Sequence, residues 1–484
     1  MSQMKSNRFT FLFTLALSTT LFADLQSDVS RIVAKTELFN GRAGVCVIDT
    51  ATNTTLVELH ARDGMIPASN QKILTSCAAL HILGPEFKFQ TRLLRSGDDL
   101  ILVGDGDPTF GDMELSGITD WSTEREQLAE EIVPWADAVK STGLLHVQTL
   151  WVDDRIFDRN FIHPSWPSDQ INNWYCAQVS GLNYHVNVFH FFPSPIRGGN
   201  ASLGKYTPAM PWLSIKNRTT SKTSKKDKSS FWVARSPNSN SITARGNVNA
   251  KHTVPVKVAF HDPAVVLGET LAVALRAKGI AVDSVKRVSE EAPPSKGELI
   301  FLRETPIQYA LLRSNRDSHN LYAESLLKRL SAKATTRSGT FDEGADNVTK
   351  VVAERLGSSQ RGLSPSDGSG MSRQNSVSPR TIARLLGSFS IDTPEGKSLL
   401  YSLATPGNGT LKSRFKSFEY EGATVYAKSG YIREVSALSG FVVFDDKRAP
   451  LVFSIIANGV KGTVHHAKKM QEQIVALITE HTLQ

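Results

Sequence analysis

The sequence predicts an α+β protein: one antiparallel sheet flanked by helices, with a largely β region inserted into it. Two observations carry this. Strand-like apolar runs stand near both ends of the chain with amphipathic helices between them, and the texture of the sequence changes over a long internal stretch.

The elements follow in order. Residues 24–40 have a helical period. Ala43–Thr50 and Thr55–Leu59 read as two strands about a polar Thr-Asn turn. Pro67-Ala68-Ser69 leads into a helical run over 70–83, closed by Gly84-Pro85. Residues 88–103 read as a hairpin, Gly104–Asp107 as a turn, 123–140 as a helix and His146–Val152 as a strand. Between about 160 and 255 aromatics, Pro and Asn rise and the periodicity weakens. Period returns at Pro263 in an amphipathic helix ending at Gly279, then in helices at 321–330, near 346–356 and at 381–390. Strands at Ser436–Asp446 and Ala449–Gly459 and a helix at 464–481 close the chain. These patterns divide it into a leader at 1–23, one domain made of 24–87 and 257–484, and an inserted region at 88–256, expected as two subdomains.

The chain has 484 residues, 40% of them hydrophobic and 21% charged. That is the composition of a folded, enzyme-sized protein of about two to four domains. The net charge of +8 is too diffuse to argue for nucleic acid. Residues 216–230 carry six basic residues against one acidic. They read as a solvated, mobile loop, or as a peripheral contact with a wall polymer or membrane surface. Lys5 and Arg8 precede the apolar run Phe9–Leu17, with cleavage expected after Ala23: a secretory leader, the alternative being a signal anchor that stays attached. Export places the protein in the periplasm, or at the extracytoplasmic face of the envelope. Three cysteines cannot all pair internally. Cys46 and Cys77 sit in apolar runs and read as small core residues, and Cys176 is left open.

Three short motifs carry the chemistry. In Ser69-Asn70-Gln71-Lys72, a serine and a lysine three apart share one face of a helix, so the amine can reach the hydroxyl. A serine needs such a base to attack a carbonyl. Lysine serves when burial or a second cation lowers its pKa, and Lys428 is the candidate second cation. Ser318-His319-Asn320 lies just before an amphipathic helix. Lys428-Ser429-Gly430 lies in a strand-like run, where Gly430 lets a substrate backbone come close. Each motif has a plain reading as well. Ser69, Ser318 or Asn320 could simply cap a helix, and Ser429-Gly430 could be a hairpin turn beside an exposed lysine.

Together and in this order the motifs resemble those of the penicillin-recognising serine acyl-transferases. The chain is most similar to low-molecular-mass penicillin-binding proteins of the D-alanyl-D-alanine carboxypeptidase/endopeptidase type with a large insertion. The 246-residue interval from Lys72 to Ser318 fits that subtype and is far longer than in class A β-lactamases. The runs LILVGDGDPTF, AESLLKRL (323–330), LSPSDGSGMSRQNSVSP (363–379) and LATPGNGTLKSRF (403–415) also match. Asp367–Gly370 within the third of these reads as a tight turn. There are two departures: His319 stands where Asp is usual, and Ser429 where Thr is usual.

The resemblance implies a penicillin-binding, serine β-lactamase-like transpeptidase fold and a hydrolase acting on peptidoglycan stem peptides and inhibited by β-lactams. It implies that Ser69 attacks the D-Ala-D-Ala carbonyl, Lys72 takes the serine proton and Ser318 relays a proton to the leaving amine. Asn320 would bind the substrate amide, and Lys428 with Ser429 its terminal carboxylate. The backbone N–H groups of Ser69 and Tyr431 would hold the oxyanion. Asp169 matches an acidic position that faces the free amine of the stem-peptide diamino acid, the alternative being a turn cap. No cofactor and no metal are needed. His163, His185 and His190 read as isolated surface histidines. The competing readings are a β-lactamase, for which no deacylating Glu is recognisable, and a non-catalytic wall-binding protein that kept the fold.

Overall fold

The computed structural model describes residues 24–117, 120–222, 228–416 and 421–483. The expected leader and residues 223–227 of the basic segment lie outside the described residues.

Along the chain, helix α1 (24–35) precedes strands β1 (Arg42–Asp49) and β2 (Thr54–Leu59) and helix α2 (Gln71–Leu83). Next come β3 (Lys88–Ser96), β4 (Asp99–Val103), α3 (Glu124–Ser141), β5 (His146–Asp153) and β6 (Val188–Phe191). Then follow β7 (Ile215–Ser221), β8 (Trp232–Arg235), β9 (Ile242–Val248), β10 (Val256–Ala259), α4 (Pro263–Ala277), β11 (Ala281–Arg287) and β12 (Glu298–Pro306). Helices α5 (Ile307–Asn315), α6 (Asn320–Thr335), α7 (Phe341–Leu356), α8 (Pro379–Gly387) and α9 (Pro394–Ser402) lead to β13 (Ala423–Ile432), β14 (Val435–Phe444), β15 (Leu451–Asn458) and α10 (Val464–Leu483).

These elements form two compact units. The first runs to His81 and takes in Leu311–Ser318 and everything from Ala345 onward. Its sheet has the order β13-β14-β15-β1-β2, every pairing antiparallel, and so joins the two ends of the chain as the sequence predicts. Alternation decides the faces. Val45 and Val47 enter a cluster with Leu25 and Val29 of α1 and Met470, Ile474 and Ile478 of α10. Cys46, between them, points to the other face, where the charges of Arg380 and Arg384 on α8 reach it. β15 is the apolar centre of the sheet, buried over seven of its eight residues.

The second unit comprises Ile82–Ala310 and His319–Gly344. This corrects the expected boundaries at 88 and 256. β11 pairs in parallel with β5, and β12 pairs with β3, so residues far beyond 256 are bound into the same sheet, of order β11-β5-β4-β3-β12. A two-stranded sheet (β10-β6) and a three-stranded sheet (β7-β9-β8) complete the unit. It is less purely β than expected, because the parallel pairs β4–β5 and β5–β11 require crossovers, and α3 and α4 supply the helices. The basic segment is corrected too: residues 216–221 are not a loop but most of β7, paired with β9.

All three cysteines, Cys176 included, are buried thiols outside any disulfide. Burial pushes the Cys46 and Cys176 thiols up to about 12, so neither is a reactive thiolate at neutral pH. Among the described residues, no helix is long and apolar enough to cross a membrane. Ile455, wholly buried at the centre of the first unit's sheet, tests its core. Ile455→Ala is expected to lower stability by about 2–5 kcal/mol in chemical denaturation.

Candidate active site

The site forms in the first unit, at the start of α2. Ser69 lies inside a short 3-10 turn, Ala68–Asn70, that runs into α2. It does not cap the helix: its Oγ is 3.2 Å from Lys72 Nζ, one turn on. Ala68 holds a left-handed φ of +47°. It packs against a close neighbour: a Cβ on Gly370, itself at φ +82°, would lie 1.8 Å from the Ala68 carbonyl oxygen. Only glycine fits there.

Gly370 belongs to the loop that reads in sequence as a mere turn. It is a turn, with Asp367 as its organiser. The Asp367 carboxylate accepts from the backbone N–H of Gly370 (2.7 Å) and Ser372 (2.6 Å) and from Asn375 Nδ2 (2.7 Å). It also does something unforeseen: it brings the Ser369 carbonyl to 2.7 Å from Lys72 Nζ. Lys72, 0% exposed, is thereby fixed between Ser69 Oγ and a backbone acceptor.

Lys428 reaches the same region from the edge strand β13. It is not the exposed lysine of a hairpin turn, since it too is 0% exposed and Ser429-Gly430 continues the strand. Its Nζ donates to Ser318 Oγ at 2.8 Å and to the Ser429 carbonyl at 2.7 Å. Gly430 packs close to the start of α2: a Cβ there would come 3.0 Å from Pro67 O and 3.1 Å from Ser69 N. Tyr431 follows on the same strand with its ring exposed.

Ser318 arrives by a third route, just past the end of α5. Its φ of +61° is uncommon for a residue with a side chain and costs about 1–3 kcal/mol. The neighbours that hold it are specific. Asn315 Nδ2 donates to Ser76 Oγ on α2 and Ser402 Oγ on α9, each at 2.9 Å. Asp317 accepts from Arg313 and Arg316, each at 2.9 Å. Burial would raise the Asp317 carboxyl, but its bonds from Arg316 and the charge and bond of Arg313 outweigh that and keep it ionised.

Burial, and then the charge of Lys72, push the Lys428 ammonium well below the ordinary lysine value, with Asp317 opposing. The sequence predicts that Lys428 acts on Lys72. Like charges act both ways, and the two buried amines hold one proton more readily than two.

Asn70, between Ser69 and Lys72, has a role that its motif does not signal. Wholly buried, it donates to the Lys428 carbonyl at 2.7 Å and accepts from Ser439 Oγ at 2.6 Å. Ser439 lies directly across the ladder from Lys428. One amide thus bolts the start of α2 to β13 and β14. Nothing in a lone Asn between Ser and Lys signals this.

Asn320 and Asp169 belong to the second unit. Asn320 opens α6, whose N-cap is His319 without a side-chain capping bond, so the capping reading of this motif fails. Its Nδ2 instead donates to the Tyr175 carbonyl at 2.9 Å. Asp169 lies exposed on a 3-10 turn, Ser168–Gln170, where no side chain caps the start. After burial, its charge is a further cause raising Tyr175 and Cys176. Asn320 and Asp169 therefore address the same short segment around Tyr175. The histidines depart from expectation. His163, His185 and His190 are buried, not surface residues, and the last two converge on Glu124.

Asn70→Ala leaves the Lys428 carbonyl short of its donor, a loss of about 1–3 kcal/mol. Since it also loosens the Ser69–Lys428 geometry, the rate of acylation by penicillin is expected to fall by up to about 100-fold while the far-UV spectrum is kept.

Comparison with known proteins finds relatives along nearly the whole chain. A D-alanyl-D-alanine carboxypeptidase of Actinomadura sp. (strain R39) is 29% identical, over 95% of this chain and 85% of that one. The D-alanyl-D-alanine carboxypeptidase DacB of Haemophilus influenzae is 22% identical, over 89% and 88%. The crystal structure of penicillin binding protein 4 (dacB) from Haemophilus influenzae has the same fold, with a TM-score of 0.74 at 20% identity, covering 92% of this chain and 99% of that one. The D-Ala-D-Ala carboxypeptidase 3 (S13) family matches residues 25–481, nearly the whole of the described chain, and the protein belongs to that family.

Proposed function

We propose that Ser69 is the nucleophile with which this enzyme, a serine D-Ala-D-Ala carboxypeptidase and D,D-endopeptidase, opens peptidoglycan stem peptides and cross-links. The observation that carries the assignment is the meeting of Ser69, Lys72, Ser318 and Lys428 within one unit of the fold, from three separate stretches of chain.

Lys72 Nζ lies at 3.2 Å from Ser69 Oγ, the range in which a general base works. It accepts the serine proton as Oγ bonds to the carbonyl carbon. The oxyanion forms against the backbone N–H groups of Ser69 and Tyr431, a role supported by the close approach of Gly430 to Ser69 N. Collapse breaks the C–N bond, and the leaving amine takes its proton through Ser318, which already bonds Lys428 Nζ. Water then attacks the acyl-enzyme by the same route in reverse. Lys428 and Ser429 receive the terminal carboxylate, whose charge gives the buried lysine a counter-ion. Ser429 keeps the hydroxyl of the more usual threonine. Asn320 is assigned the substrate amide, and Asp169 the free amine of the diamino acid, supported by its exposure and its lack of a capping role.

β-Lactams mimic the scissile amide and acylate Ser69. One solved relative, penicillin binding protein 4 from Haemophilus influenzae, is described in complex with a β-lactam. The substrate places the enzyme outside the cytoplasm, in accord with the leader-like N-terminus.

Labelled penicillin followed by peptide mapping tests the assignment. The label is expected on the peptide containing Ser69, in stoichiometric amount with slow release, and absent from a folded Ser69→Ala protein. Label on another peptide, or undiminished label in Ser69→Ala, contradicts it.

A further inference from the structure

Glu124, His185 and His190 meet inside the second unit, each no more than 2% exposed. Their candidate ligand atoms all lie within 4.8 Å of one another. None has a place in the peptidase chemistry, and the feature stands independently of that reading.

Each residue is presented by a different element. Glu124 is the first residue of α3, and His190 lies within β6. His185 opens a left-handed turn in which it, Val186 and Asn187 have φ of 52°, 47° and 59°. Each such residue costs about 1–3 kcal/mol, most for the β-branched Val186. The turn is clamped by Asn187, whose Nδ2 donates to Gln178 O (2.8 Å) and Asn183 Oδ1 (2.7 Å) and whose Oδ1 accepts from Tyr184 N (2.9 Å). The strained turn directs His185 at Glu124.

Hydrogen-bond accounting then exposes a gap. His185 Nδ1 lies 2.8 Å from the Val188 carbonyl, which can only accept, so Nδ1 carries the proton. In the neutral ring Nε2 is then a lone pair, and it faces Glu124 Oε1 at 3.3 Å. His190 Nδ1 is 2.6 Å from that same oxygen. Two acceptors face each other across Nε2 and Oε1 unless a cation lies between them. A proton would fill the gap by making His185 an imidazolium. A metal ion would fill it while using all three groups.

We propose that Glu124, His185 and His190 form a buried binding site for a divalent cation of borderline softness, with zinc the best match to two imidazoles and one carboxylate. The outer contacts are those of a ligand set. The Nδ1–H of His185 is committed to a backbone carbonyl, and the Thr207 hydroxyl donates to Glu124 Oε2 at 2.7 Å. Such bonds hold ligating imidazoles and carboxylates in orientation. The ion would tie the start of α3, the left-handed turn and β6 together, a structural role remote from the peptide-cleaving chemistry.

The test uses the full chain carrying His465→Asn and His466→Asn, because that adjacent surface pair, with ring centroids 4.0 Å apart, could add a second ion. The protein is produced in zinc-supplemented medium, desalted and assayed for metal by mass spectrometry. About one zinc ion per chain is expected, with a thermal midpoint that falls on chelation. Glu124→Gln on this background is expected to lose the zinc while still taking up labelled penicillin at Ser69. Thr207→Val, which removes no ligand, is expected to weaken zinc affinity by about 10–100-fold. Absence of stoichiometric zinc from the parent overturns the proposal, as does equal zinc in Glu124→Gln. Should Glu124→Gln fail to fold, an unchanged affinity in Thr207→Val overturns it.

Discussion

Two lysine side chains, Lys72 and Lys428, are wholly withdrawn from water in the same region of one unit. An isolated buried ammonium is very costly, and two that repel each other are worse. Acceptors ease the first problem. Lys72 has the Ser369 carbonyl and Ser69 Oγ, and Lys428 has the Ser429 carbonyl and Ser318 Oγ. The second is eased by discharge, since a proton lost from either amine removes the repulsion. The lone pair left behind is what a serine nucleophile requires. The burial that makes the site expensive, with the charge of Lys72, lowers the Lys428 pKa, and the pair then holds one proton more readily than two, leaving one amine in the basic form.

The scaffold serves that constraint. A sheet assembled from both chain ends lets β13 deliver Lys428 beside a helix that begins some 360 residues earlier. Two glycines mark where backbones must nearly touch, Gly370 against Ala68 and Gly430 against Pro67 and Ser69. Asn70 spans the same junction with both ends of its amide. Ser318 is held in a left-handed conformation by a knot of polar contacts through Asn315 and Asp317. Strain and buried polarity concentrate here, whereas the helix-covered parts of the sheet are conventionally apolar.

Much of this was legible in the sequence, for physical reasons. Strand alternation and helical period gave the sheet of the first unit, because one buried face imposes its period on the residues. Ser69, Lys72, Ser318 and Lys428 were legible because their chemistry is in their side chains. The Ser369 carbonyl was not, because a backbone acceptor carries no signature in residue type. Asn70 was not, because its two partners lie more than 350 residues away. The domain boundary at 256 was misplaced because parallel pairing of β11 with β5 links segments that no local pattern connects. The histidines were misjudged for a similar reason. His185 turns inward only through a left-handed turn, a conformation that Val186 by itself argues against.

NMR titration of the lysine side-chain nitrogens in the intact protein tests the coupled amines most directly. A lysine whose pKa is lowered sheds its proton at lower pH than its exposed counterparts. Lys428 is expected to titrate well below the ordinary value of 10.5, and to move upward in Lys72→Met, where the like charge is gone. A Lys428 that titrates near 10.5, or that ignores the loss of Lys72, contradicts the account.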